Sequence, residues 1–357
     1  MSSTKPPRKV LIVCHSNLSL GAKEVIDFLI EDAKNYPSIE LHFVATEKNQ
    51  PIGNHNIAYL YQGKGLISRF AFEFFSLKRL IDDSDYDYVL SLQNFVVRKY
   101  STRTGVLLHQ GLIVSNYPFP SYEWKLRIKT WLLKYIFKLN IANVDDVYVQ
   151  LPWMKRQVIK RYNINESQVD VIRTHKPSFN SDLSEEPNTS TRFLYPAAPF
   201  HYKNHQVILD ALMQLPSDLL KEIHVDFTFD SNSNNYAQKL ALLVRQHQLP
   251  IKFIGTIPHE QLMVKYTYST LIYSSMIESL GFPLIEARGT QSSIFVIDLP
   301  YARESLQDYG RTYYFSNATE LATLMKAYLM NAEIPPDSIK SINPKQSLLE
   351  NVSERLG

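Results

Sequence analysis

Short apolar runs alternate along most of the chain with longer stretches in which apolar residues return every three or four positions. That alternation predicts parallel sheets flanked by helices. In the first half, Lys9–Cys14, Leu41–Ala45, Tyr86–Leu92, Gly105–His109, Val147–Gln150 and Val169–Arg173 read as strands. Between them Ala22–Lys34, Ile67–Leu80, Tyr122–Leu139 and Trp153–Tyr162 read as helices. The second half repeats the pattern with strands Phe193–Tyr195, Val225–Phe229, Ile251–Ile254, Leu271–Tyr273 and Ile294–Ile297. Residues 176–191, rich in Ser, Pro, Asn and Glu, read as a linker. With 357 residues, the chain is too long for one ordinary core. The expectation is two doubly wound α/β domains, over 1–175 and 192–335, and a tail over 336–357. Leu348, Leu349, Val352 and Leu356 permit that tail to be a helix returning to the N-terminal domain.

Composition adds three constraints. No apolar run approaches the roughly 20 residues of a membrane span, and Met1–Lys9 is polar, without a signal-peptide core. The single cysteine, Cys14, excludes an internal disulfide and a Cys-based zinc site, and fits a reducing cytoplasm. The net charge of +3 hides an asymmetry. Residues 1–175 carry 23 Lys and Arg against 16 Asp and Glu, whereas 176–357 carry 15 against 19. An anionic surface is therefore expected to meet the N-terminal half.

The strongest motif is Glu278-Ser279-Leu280-Gly281-Phe282-Pro283-Leu284-Ile285-Glu286, between a predicted strand and a predicted helix that has Pro283 at its first position. Such a loop aims backbone N–H groups and a positive helix end at an anion, and Gly281 lets the anion approach closely. Glu278 and Glu286 can face the same pocket as hydroxyl acceptors. An anion cradle flanked by hydroxyl acceptors suits a sugar nucleotide.

This stretch resembles the E-x7-E motif of retaining glycosyltransferases of family 4, which have the GT-B fold of two Rossmann-like domains facing across a cleft. Asp298-Leu299-Pro300-Tyr301-Ala302-Arg303-Glu304 and Tyr313-Tyr314-Phe315 resemble the segment that follows the motif in bacterial surface-polysaccharide members. The likeness is best from Arg192 to Thr323. It implies that Glu278 binds sugar hydroxyls, that Glu286 binds the ribose, and that Ser279, Leu280, Gly281, Phe282 and Pro283 line the donor.

In open α/β sheets ligands bind past the carboxyl ends of the strands. His109 ends its strand and is similar to a family 4 histidine that contacts the donor's sugar and diphosphate. Lys203, read as opening the helix after Phe193–Tyr195, can reach the diphosphate. Family members carry Gly-Arg ahead of that lysine, where this chain has Ala197-Ala198, so Lys203 acts with the helix end alone, or Arg288 or His201 contributes. Gly21 matches one of two family glycines before the first helix, or is simply turn chemistry. Gly255-Thr256-Ile257-Pro258 resembles the turn that meets the nucleotide base, which makes Ile257 a donor contact. Asp83, Asp85 and Asp87 carry the Asp-x-Asp spacing of a metal site, but they precede their strand and read as solvated loop acids. No metal or cofactor is called for; the nucleotide diphosphate sugar is a co-substrate.

Trp124 to Lys138 holds five cations and no acid. At helical spacing Trp124, Ile128, Trp131, Tyr135 and Leu139 share one face, flanked by Arg127, Lys134 and Lys138 on one side and Lys125 and Lys129 on the other. Leu126, Leu133 and Phe137 lie opposite. Either this aromatic face rests on an anionic bilayer, or the helix is buried on both faces with snorkelling lysines. Nucleic acid is not indicated, since no recognition motif accompanies the charge. The resemblance implies a metal-independent retaining hexosyltransferase acting on a lipid-linked glycan in O-antigen or capsule assembly, cytoplasmic and peripheral on the inner membrane. A non-catalytic glycan- or partner-binding protein and a sugar-nucleotide epimerase on the same fold stay open.

Overall fold

The structure is a computed structural model that describes residues 6–15, 20–48, 50–51, 56–120, 123–175, 191–330 and 346–356. Two compact units divide the chain. One comprises Met1–Ser115, Tyr122–Lys176 and Asn343–Gly357, and the other Asn116–Ser121 and Pro177–Ile342. Residues 176–190 of the expected linker lie outside the described residues.

The first unit holds a seven-stranded parallel sheet. Its strands are β1 (Arg8–Val13), β2 (Ile39–Ala45), β3 (Asn56–Leu60), β4 (Tyr88–Ser91), β5 (Thr104–Leu108), β6 (Asp146–Val149) and β7 (Val169–Val171), in the order β3-β2-β1-β4-β5-β6-β7. Strands β4, β5 and β6 are buried at every position, as sheets covered by helices on both faces require. The edge strand β3, with mostly exposed residues, is not predicted by the apolar pattern. The predicted helix over 67–80 is interrupted. Gly65–Ala71 and Leu77–Asp82 are α-helical, but Phe72–Ser76 between them is a π turn. The wider turn buries Glu73 and leaves Phe74 and Phe75 exposed. Gly21 is also placed differently, because the helix begins at Leu20 and runs to Ala33, so Gly21 lies inside its first turn.

The chain's end belongs to this unit. Leu348–Leu356 is a helix whose Leu348, Leu349 and Val352 are fully buried. It is fastened through Asp146, a carboxylate with no exposed surface. Asp146 accepts from Arg103 Nε and Nη2 at 2.9 and 3.0 Å, from Tyr88 Oη at 2.7 Å, and pairs with Arg355 Nη1 at 3.0 Å. A buried carboxylate is tolerable only with such a set of donors.

The second unit repeats the architecture with six parallel strands, β8 (Arg192–Tyr195), β9 (His224–Phe227), β10 (Ile251–Phe253), β11 (Thr270–Tyr273), β12 (Ile294–Ile297) and β13 (Thr312–Phe315). Their order is β10-β9-β8-β11-β12-β13. Strand β13, paired in parallel with β12, is a second strand that the apolar pattern did not yield. In each sheet the order reverses once, between β1 and β4 and between β8 and β11. Those are the points where a doubly wound sheet opens a crevice above its strands.

Candidate active site

In the second unit both loops at the reversal carry chemistry. After β8 the chain makes a single 3-10 turn, His201–Lys203, and passes through Asn204 at φ 54° before the helix His205–Leu212 begins. Lys203 therefore precedes the helix rather than opening it. Asparagine tolerates this left-handed conformation better than most residues. The turn is tied to the loop after β11. Ser274 Oγ donates to the carbonyls of Lys203 and Asn204 at 3.1 and 2.9 Å, and the Met276 N–H donates to the Tyr202 carbonyl at 2.7 Å. The buried Tyr195 hydroxyl donates to the same Lys203 carbonyl.

These ties bring two predicted residues together. Lys203 Nζ donates to Glu278 Oε1, and Tyr273 Oη donates to that oxygen at 2.6 Å. The two charged side chains are 16% and 15% exposed, enclosed enough for the pair to feel a low dielectric. Arg288 is not part of this group. It sits in the last turn of the helix Phe282–Gly289 and donates to the Leu306 carbonyl at 3.3 Å. His201 packs against Tyr236 with ring centroids 3.9 Å apart.

Gly281 caps the helix Phe282–Gly289 with φ 77°. A side chain there would meet Leu284 Cδ1 at 3.3 Å and Tyr301 Cε2 at 3.5 Å. Phe282, not Pro283, is the first helical residue. Pro283 has no N–H, and the Leu284 N–H turns back onto the Gly281 carbonyl at 2.9 Å. Donors for an anion are thus confined to the backbone of the loop and Phe282. Leu280 is 2% exposed, so its side chain is core and only its backbone can reach a ligand.

Glu286 faces a different set of partners from Glu278. It is 6% exposed, receives His259 Nε2 on Oε1 at 3.0 Å, and receives the Tyr266 hydroxyl on Oε2 at 2.9 Å. His259 begins the helix His259–Tyr268, directly after the Gly255–Pro258 turn in which Gly255 has φ 74° and Ile257 is half-buried.

In the first unit the reversal brings β1 and β4 side by side, with β5 next to β4. His109 follows the last residue of β5. Its backbone N–H donates to Asn94 Oδ1 at 2.9 Å, and its Nε2 lies 3.2 Å from Asn94 Nδ2. Burial pushes the imidazole down to about 4. Beside it, Gln93 Nε2 reaches His15 Nδ1 at 2.6 Å, and His15 Nε2 lies 3.2 Å from Glu73 Oε1, which also receives Arg69 Nε at 2.8 Å. The predicted acids behave otherwise. Asp87 Oδ2 accepts from the Lys9 N–H at 2.8 Å at the amino end of the strands. Among the described residues no group of three or more His, Cys, Asp or Glu could hold a metal ion.

The basic helix spans Trp124–Asn140. Phe137 and Thr130 face inward, and Leu133 packs on the core. Trp124, Ile128, Trp131, Tyr135 and Leu139 are 47–60% exposed, and Trp131 stacks on Tyr135 at 5.4 Å. Lys125, Arg127, Lys129 and Lys138 are exposed beside them, and Lys134 donates to the Ser115 carbonyl. Burial on both faces is therefore not what the helix does. No helix among the described residues is long and apolar enough to cross a membrane.

No model of a known protein family matches the chain. The O-antigen chain mannosyltransferase RfbU of Salmonella typhimurium is 25% identical over 270 residues, 72% of this chain and 72% of its own length. WaaG, a glycosyltransferase involved in lipopolysaccharide biosynthesis, superposes with a TM-score of 0.65 at 11% identity over 90% of each chain. Anabaena Alr3699/HepE, solved in complex with UDP and glucose, gives 0.58 at 15% identity over 90% of this chain and 89% of its own. These structures share the fold. The chain has the GT-B fold of these glycosyltransferases and is related in sequence to an O-antigen chain mannosyltransferase.

Four residues of these two sites escaped the sequence analysis as site residues: Tyr266, Tyr273, His259 and Asn94. Tyr273 ends a predicted strand and Asn94 stands just past one, so the strand-end criterion reaches both. Tyr266 lies mid-helix and carries no local signal.

Proposed function

We propose that the chain is a retaining, metal-independent hexosyltransferase that moves a hexose from a nucleoside diphosphate sugar to a lipid-linked glycan in O-antigen or capsule assembly. The observation that supports this most is the Lys203–Glu278 pair at the β8/β11 reversal, beside the Gly281 cap. Lys203 and the loop backbone neutralise the charge that gathers on the leaving diphosphate as the glycosidic bond breaks. Glu278 binds sugar hydroxyls, and Glu286, held by His259 and Tyr266, binds the ribose. Ile257 lies against the base, and His109 meets the sugar and diphosphate. Gly21 contributes through its helix backbone. On this reading residues 192–335 take the donor and residues 1–175 the acceptor side. The two glutamates are not the acid and base of a hydrolase, which flank the bond being cut.

The exposed aromatic face of Trp124–Asn140, with cations around it and no acid within Trp124–Lys138, rests on the anionic inner membrane from the cytoplasmic side, where a lipid-linked acceptor is found. Trp124, Trp131 and Tyr135 enter the headgroup region; Lys125, Arg127, Lys129 and Lys138 meet its charge, whereas Lys134 is engaged by the Ser115 carbonyl. Co-sedimentation with vesicles containing anionic lipid should fall severalfold in Trp131→Ser and in Lys125→Glu/Lys129→Glu. Unchanged sedimentation of both would contradict this placement.

Slow donor hydrolysis tests the reaction without knowledge of the acceptor. Proton NMR should show the released sugar first in the donor's own anomeric configuration, and chelators should not abolish release. The absence of Arg before Lys203 favours a second reading, a non-catalytic GT-B protein, which predicts no hydrolysis at all. An epimerase would instead convert the sugar.

A further inference from the structure

We infer that Asn94 is a positioning residue that holds the His109 imidazole as its neutral Nδ1–H tautomer; the inference rests on the reading of His109 as a donor contact. The amide of Asn94 decides this. Its two ends look alike in shape, so hydrogen bonding must decide which is which. The His109 backbone N–H can only donate, and the atom it reaches at 2.9 Å is therefore Oδ1. Nδ2 is then the atom facing His109 Nε2 at 3.2 Å, and it too can only donate. Nε2 must accept with its lone pair, which leaves the single ring proton on Nδ1. Any hydrogen bond His109 gives to an oxygen-rich ligand comes from that atom, so His109 serves as a neutral donor and not as a proton acceptor at Nε2.

Asn94 itself is buried, 4% exposed, and sits at φ 66°, a left-handed conformation that asparagine adopts more readily than most residues. Its neighbour Gln93 applies the same logic to a second histidine. Arg69 donates to Gln93 Oε1, so Gln93 Nε2 donates to His15 Nδ1, and His15 carries its proton on Nε2, toward Glu73. This closed ring of Arg69, Gln93, His15 and Glu73 anchors the loop after β4 from below. Adjacent amides in the loop after β4 thus fix opposite tautomers on two histidines, one past β1 and one past β5, the strands on either side of β4.

The test reads the ring nitrogens directly, in full-length protein carrying 15N-histidine at neutral pH. Wild type should show His109 protonated at Nδ1. Asn94→Ala should give a mixture of tautomers. Asn94→Asp, which keeps the shape and tolerance of the left-handed backbone, should move the proton to Nε2. A wild-type ring protonated at Nε2, or nitrogen shifts that ignore both substitutions, would overturn the inference. Donor turnover provides the second arm. Asn94→Ala should lower kcat by about tenfold to a hundredfold, as loss of orientation does, with donor KM little changed. Turnover lost in His109→Ala but intact in Asn94→Ala contradicts the positioning role alone. Turnover intact in both removes the reading of His109 beneath it.

Discussion

The Tyr266 hydroxyl donates to Glu286 Oε2 at 2.9 Å from a side chain with no exposed surface. Glu286 is thereby held on Oε2 while His259 meets Oε1. Replacing Tyr266 with Phe removes the deeper of these two donors and little else. The account predicts a stability loss of about 1–2 kcal/mol, the usual cost of stranding a buried acceptor, and a severalfold weaker nucleoside diphosphate affinity. Urea denaturation and calorimetric titration check the two.

Lys203 and Glu278 should be energetically coupled. Lys203→Met strands a mostly enclosed carboxylate, and Glu278→Gln strands an ammonium. Each change should destabilise the second unit by about 1–3 kcal/mol, and the double variant by clearly less than their sum. Strict additivity in a double-mutant cycle would mean that the pair does not form.

Gly281→Ala places a side chain at φ 77° and 3.3 Å from Leu284 Cδ1. Strain of about 1–2 kcal/mol follows from the left-handed backbone. On the proposed function donor affinity should fall further than stability does, because there the shifted loop is the surface offered to the diphosphate. Comparing melting temperature with nucleotide affinity separates the two effects.

Stability should decline below neutral pH. Burial holds His109 down to about 4 and His205 down to about 3, against an ordinary 6.5. Between those values and 6.5 the unfolded chain binds protons that the folded one refuses, so stability falls as pH drops, by up to about 1.4 kcal/mol per pH unit for each group. Glu73 acts in the same direction. Burial raises its carboxyl, but bonds from His15 and Arg69 outweigh this and hold it below the ordinary range. Its contribution is present above the unfolded value and is lost as pH falls through the folded one. Unfolding at about pH 7, 6 and 5 measures the slope, which should be shallower in His205→Gln.

Much of the fold is legible because buried parallel strands are written as apolar runs, as at Val10–Val13 and Ile294–Ile297. The two missed strands lack that mark. Asn56–Leu60 is an edge, largely exposed, and in Thr312–Phe315 two half-buried tyrosines stand between buried ends after a polar start. The π turn at Phe72–Ser76 is invisible to a helical period, since one extra residue per turn shifts the faces only locally. At the sites, Lys203 and Glu278 are legible from their places after strands. Their contact depends on Tyr195 and on Ser274, the latter 71 positions from Lys203, and spacing in one sequence does not reveal it.

The most direct test of the central claim is thermal-shift binding of UDP-, GDP-, dTDP- and CMP-sugars to wild type, Glu286→Ala and Lys203→Met. The account predicts stabilisation by one nucleoside diphosphate class, reduced in both variants, and none by the monophosphate CMP-sugars. Stabilisation by none of them, or a shift that survives both substitutions, would contradict a donor site built on Lys203, Glu278 and Glu286.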